Sequence, residues 1–189
     1  MDSETFGLIK PDGFKRKLTT RIIYFVLKNG FFTITEIRWI ILTQKEAEKL
    51  CLYNLNHLEI IGDKVVKTCR EAGIDPRIHW GSDYDLIRFG RMVRQWNIRY
   101  LTEGPLCFLS IRGTNGNTPQ EFKNFVGKTD ENNINTVRGR FKDPEEDIKK
   151  ATERSMSFRN VIHVPDPDRI AFERAIILGA KTLHIIKPG

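Results

Sequence analysis

His163 is placed in this chain where an imidazole could do covalent chemistry. It lies between Val161, Ile162 and Val164, three residues after Asn160 and two before the break at Pro165-Asp166-Pro167. At the end of a short apolar run one ring nitrogen can face solvent while the protein fixes the other, which is how a histidine becomes a nucleophile. The structural alternative is a hydrogen-bonded histidine at a strand edge. Two cations join it as candidates. Lys10 opens Lys10-Pro11-Asp12-Gly13 at the end of an apolar, β-prone run, so its ammonium projects from a rigid support toward any phosphate that binds there. Arg138 precedes Gly139, so its guanidinium fork can reach an anion over backbone with no side chain in the way. Each also has a plain reading as a turn or surface residue. Asn160 would fall on the opposite face from His163 along an extended strand, and near it on a turning backbone.

Other chemistries find little support. His57 and His79 lack acidic or cysteine partners at ligand spacing, and His184 sits near the C-terminus, so a zinc site is not expected. There is no paired-carboxylate motif, Gly-x-Ser-x-Gly elbow or Walker loop. Trp39, Trp80 and Trp96 are dispersed, and Arg91, Arg94 and Arg99 read as a solvated helix face. Nucleic acid is therefore not the expected partner.

The elements that must position these residues follow from periodicity and punctuation. Thr5–Ile9 reads as a strand ending at Lys10, and the Lys-Pro-Asp-Gly tetrad as a turn. Thr20–Lys28 reads as a buried helix stopped by Asn29-Gly30, and Phe31–Leu42 as a β-branched and aromatic strand. Thr43 and Glu46 form a capping box for a helix running to about Tyr53. Residues 54–102 read as a helical insertion, with helical patterns at Ile60–Ala72 and Leu86–Trp96 flanking an irregular Gly73–Asp85 segment. Leu106–Ile111 is a buried strand, Pro119–Val126 a short helix and Asp143–Arg154 a solvated one. Val161–Val164 is the last strand, Asp166–Leu178 the last helix, and Gly179–Gly189 an ordered or loosely docked tail. The expectation is an α+β fold: a ferredoxin-like (split βαβ) four-stranded antiparallel sheet covered by helices on one face, in one domain spanning 1–189 with an insertion at 54–102. A doubly wound parallel sheet competes, but would want a glycine-rich phosphate turn after strand one.

The totals bound the reading. The 189 residues allow one substantial core. The net charge of +7 favours anionic ligands without choosing among them. Cys51, Cys69 and Cys107 are odd in number and far apart, which points to core thiols in a reducing compartment. No stretch has the apolar length of a membrane span, and the first residues carry no signal-peptide core. A cytoplasmic location is expected.

In chain order, Thr5-Phe6-Gly7-Leu8-Ile9-Lys10-Pro11-Asp12-Gly13, then Gly127-Lys128-Thr129, Val137-Arg138-Gly139 and Arg159-Asn160-Val161-Ile162-His163 resemble the nucleoside diphosphate kinase family across nearly the whole chain. The segment before Thr102-Glu103-Gly104-Pro105 and that between Phe141 and Arg159 look like the longer variant of that family. The resemblance implies ping-pong transfer of a γ-phosphate from a nucleoside triphosphate to a nucleoside diphosphate. His163 would be the nucleophile, and Lys10, Lys123, Thr129, Arg138 and Asn160 would hold phosphates and ribose. Magnesium would be held mainly by the nucleotide's phosphates. Tyr53 would pack beside the histidine, and the chain would form a homo-oligomer, a hexamer or tetramer.

The family pattern is departed from in several places. Val164-Pro165-Asp166-Pro167 replaces Gly-Ser-Asp-Ser, and Lys123 replaces an arginine six residues before Thr129. Thr129-Asp130-Glu131 replaces a proline-containing turn, and no base-stacking phenylalanine can be assigned. The glutamate that orients the histidine falls by strict count on Arg174, with Glu173 beside it as the candidate for that role. Two further readings stay open: a catalytically weakened nucleotide-binding module of the same fold, and a nucleic-acid binder.

Overall fold

The computed structural model describes residues 4–71, 73–77, 85–114, 116–129 and 131–187, and the chain forms two compact units. The first comprises 1–50, 101–143 and 160–189; the second comprises 51–100 and 144–159. His79 and most of the Gly73–Asp85 segment lie outside the described residues.

The first unit is built on one antiparallel sheet. Its strands are β1 (Glu4–Ile9), β2 (Phe32–Ile41), β3 (Leu106–Gly113), β4 (Ile162–His163) and β5 (Lys181–Ile186), in the spatial order β4-β1-β3-β2-β5. Without β5 this is the expected split βαβ arrangement, and antiparallel pairing throughout excludes the doubly wound competitor. β5 is a correction to the expected tail. Its Lys-Thr-Leu-His-Ile-Ile sequence has the apolar and β-branched residues of a strand, but nearly every side chain is exposed, so no alternation of buried and polar positions announces it.

β1 and β3 run through the centre and are buried almost continuously. Continuous burial means both faces are covered, not one, and the contacts bear this out. On one face Ile9, Cys107, Leu109, Ile111 and Ile162 pack with Ile22 and Val26 of α2 (Thr19–Lys28), Phe122 and Val126 of α6 (Thr118–Val126) and Val137 of α7 (Val137–Arg140). On the other, α9 (Ile170–Gly179) lies against β1 and against α3 (Gln44–Leu50), and its Arg174 donates to Ser110 Oγ of β3.

Local chemistry explains the element boundaries. The residues after Lys10 form α1 (Pro11–Lys15) rather than a simple turn, with proline at the helix start where its missing N–H costs nothing. α2 is amphipathic rather than buried all round, since Tyr24 and Leu27 are exposed. The Thr43 capping box forms as expected, Thr43 N donating to Glu46 Oε2 at 2.7 Å and Glu46 N to Thr43 Oγ1 at 3.3 Å, but α3 stops at Leu50, short of Tyr53. Near the end of the chain, a 3₁₀ turn at Pro167–Arg169 precedes α9.

The second unit contains α4 (Leu55–Glu71), nearly all of α5 (Leu86–Thr102) and α8 (Ile148–Glu153). α4 and α5 approach at Gly62 and Gly90: a Cβ on Gly62 would enter the Leu86 carbonyl, and one on Gly90 the Leu58 carbonyl. These glycines buy backbone contact that no other residue permits. α8 is the helical part of the expected 143–154 segment; it is capped by Asp147, which accepts from Lys150 N at 2.7 Å, and it buries Ala151 and Thr152. All three cysteines are free and buried, and burial pushes the Cys107 thiol up to about 12.

Candidate functional site

The backbone leading into β4 is bent by force. Val161 takes a φ of +54°, a left-handed conformation that a β-branched side chain resists, and Ile162 N donates to Asn160 O at 2.6 Å. This is a γ-turn of the rare positive-φ kind, with a cost on the order of 1–3 kcal/mol. Two bonds from the start of the chain hold it: Val161 N donates to Asp12 Oδ2 at 3.1 Å, and Lys10 N donates to Val161 O at 2.8 Å. The turn shortens the expected Val161–Val164 strand to Ile162–His163, and sets His163 opposite Leu8 of β1. Asn160 is therefore placed by a turning backbone, where its Oδ1 accepts from Lys10 Nζ.

His163 Nε2 donates to Glu173 Oε2 at 2.7 Å; the imidazole is 38% exposed and the carboxylate 4%. Glu173 faces inward from the first turn of α9. Burial pushes its pKa up, but the hydrogen bond and charge of His163, and then those of Arg169, outweigh burial and hold it below the ordinary value. An ionised acceptor at Nε2 fixes the proton there. Among the described residues no hydrogen bond is made by Nδ1, whose lone pair is available for chemistry when the ring is neutral. Arg174 turns the other way, donating to Glu4 Oε2 at 2.9 Å and Thr5 O at 3.0 Å.

Cations on several elements bond to residues within three positions of His163. Arg138 spans two backbone carbonyls, donating from Nε and NH2 to Ile162 O at 3.2 and 2.9 Å and from NH1 to Gly127 O at 2.9 Å. Its α7 is capped by Thr136, and Gly139 allows the close approach there, since a Cβ would enter the Asn133 carbonyl. Lys123 of α6 pairs with Asp166, three residues beyond His163. Thr129 is exposed on the segment between Gly127 and α7. There Glu131 accepts from the backbone of Asn133, Lys128 and Asn132, which lowers its pKa. Tyr53 belongs to the second unit, where its ring stacks on His57 at 4.7 Å.

Sequence reasoning missed Asp12, Asp166 and Arg169. In the sequence Asp12 has only the signature of a turn residue, and its hold on Val161 crosses most of the chain, so no local pattern marks it. Arg169 carried a legible signal, an (i, i+4) pairing with Glu173. Among the described residues no three His, Cys, Asp or Glu side chains gather into a metal site. The arrangement thus offers one oriented imidazole beside cations and an amide, which suits transfer of a negatively charged group.

No family model matches the chain. It is similar to a nucleoside diphosphate kinase from Pyrobaculum aerophilum, with 27% identity over 165 residues, covering 86% of this chain and 87% of that one. Among solved structures it resembles a crystal structure of an NDP kinase from Pyrobaculum aerophilum, with a TM-score of 0.84, 24% identity and coverage of 93% of this chain and 95% of that one. It also resembles a nucleoside-diphosphate kinase from Borrelia burgdorferi, a transition state mimic with bound vanadate and ADP, with a TM-score of 0.66, 19% identity and coverage of 99% and 92%.

Proposed function

We propose that this chain, which belongs to the nucleoside diphosphate kinase family, transfers the γ-phosphate of a nucleoside triphosphate to a nucleoside diphosphate through His163. The observation that carries the reading is the Glu173–His163 pair, which commits Nε2 and leaves Nδ1 to attack.

In the first half-reaction the Nδ1 lone pair attacks the γ-phosphorus. A P–N bond forms as the bond from phosphorus to the β,γ-bridging oxygen breaks, and the diphosphate leaves with that electron pair. Positive charge grows on the imidazole, and the buried Glu173 carboxylate stabilises it. In the second half a terminal oxygen of another nucleoside diphosphate attacks phosphorus, and the P–N electron pair returns to Nδ1. Lys10, Arg138 and Lys123 supply positive charge to the phosphates, with Asn160 and Thr129 donating to phosphate and ribose. Lys10 and Lys123 exchange their present partners, Asn160 and Asp166, for phosphate. Magnesium, held by the nucleotide's own phosphates, neutralises their charge when bound.

The enzyme works in the cytoplasm, in keeping with its buried free thiols, and assembles as a hexamer or tetramer. Among the described residues no helix is long and apolar enough to cross a membrane. Steady-state conversion of GDP to GTP at several fixed ATP concentrations tests the two-step scheme. Parallel double-reciprocal lines are expected; intersecting lines, requiring both nucleotides to be bound together, would contradict it.

A further inference from the structure

We infer that Arg169 is a positioning residue that shares the charge of Glu173 and so keeps His163 neutral enough to attack, an inference that rests on the reading of His163 as nucleophile. The geometry is a relay. Glu173 gives Oε2 to His163 and Oε1 to Arg169, whose Nε donates at 2.8 Å, so each carboxylate oxygen has its own partner. Arg169 is itself anchored: NH2 donates to Leu50 O at 3.0 Å, one of the orphan carbonyls at the end of α3, and its guanidinium lies 5.4 Å from the Phe172 ring centroid. The guanidinium thereby ties the 3₁₀ turn, α9 and α3 around the carboxylate that orients the nucleophile.

The same contact has an electrostatic consequence. An isolated buried carboxylate 2.7 Å from an imidazole favours the imidazolium, which has no lone pair to attack with. A cation on the other oxygen draws off part of that negative charge, so Glu173 fixes the ring without holding it protonated. Other charged groups bond to residues within three positions of His163: Lys10 at the end of β1 to Asn160, Asp12 in α1 to Val161, Lys123 of α6 to Asp166 and Arg138 of α7 to Ile162, while α3 contributes the Leu50 carbonyl to Arg169. Among the described residues none of these is bonded to Glu173, whose two carboxylate oxygens go to His163 and Arg169.

The test is an NMR titration of the His163 ring in the full chain, with its signal identified by its loss in His163→Ala. Arg169→Met and Arg169→Gln are expected to raise the midpoint by about one pH unit, the usual effect of one uncompensated neighbouring charge. Arg169→Lys, which keeps the charge, is expected to stay within about 0.2 unit of the parent. In the active enzyme the acid limb of kcat/KM moves to higher pH by the same amount, with KM unchanged. An unmoved midpoint in Arg169→Met or Arg169→Gln overturns the inference. So does an equal shift in Arg169→Lys, or a chain that folds only with a cation at 169, since each marks a purely structural role. The titration needs no nucleotide, so its result stands whether or not phosphoryl transfer is found.

Discussion

Replacing Glu173 with glutamine keeps the shape of the Nε2 contact and removes its charge. The rate of His163 phosphorylation should fall roughly 100-fold, the usual cost of losing one preorganised electrostatic partner, and rapid-quench measurement of phosphoenzyme formation reads it directly. The same residue sets a pH dependence of stability. Its folded pKa is depressed, so its contribution is present above the ordinary carboxylate value and is lost as pH falls through the folded value. Denaturation midpoints of the parent should decline below about pH 4.5, and those of Glu173→Gln should decline less. Lys123 and Asp166 form a half-exposed pair, and such pairs contribute about 0–1 kcal/mol. Asp166→Asn should therefore change nucleotide KM by no more than about five-fold, the equivalent of 1 kcal/mol. The His163–Glu173 contact is partly legible in the sequence, since His163 follows Asn160 at the end of an apolar run and Glu173 lies beside the position that strict count assigns to the orienting carboxylate. The hold of Asp12 on Val161 was not, because it joins positions 149 residues apart.

At the scale of elements, the crossing of α4 and α5 depends on two side chains that are absent. Gly62→Ala or Gly90→Ala puts a methyl group into a backbone carbonyl, and overpacking of this kind costs about 1–3 kcal/mol even where the helices relax. Chemical denaturation should show that loss, whereas Gly73→Ala would act only through its positive φ, since it meets no neighbour. Strands β1, β2 and β3 were readable because their apolar, β-branched runs are bounded by Gly, Pro or a capping box. β5 was not, because an exposed edge strand lacks a buried face to impose a pattern. The Val161–Val164 strand was overextended for another reason. Its composition is β-prone, but Asp12 and Lys10 stabilise a γ-turn at Val161 that local propensity opposes.

At the scale of the whole molecule, the net charge of +7 fits a protein whose ligands are phosphates, and it predicts that KM for nucleotides rises with ionic strength while kcat changes little. Light scattering coupled to size-exclusion chromatography should give a mass of four or six times 22.0 kDa. What unifies sheet, γ-turn and α9 is one imidazole with Nε2 committed and Nδ1 available. The most direct test is to mix the protein with γ-labelled ATP and magnesium, quench in alkali, and locate the label by mass spectrometry. An alkali-stable, acid-labile phosphoryl group on His163, discharged by added GDP and missing from His163→Ala, is the expected result. Normal transfer of label to GDP by His163→Ala, or a phosphoryl group on any other residue, would contradict it.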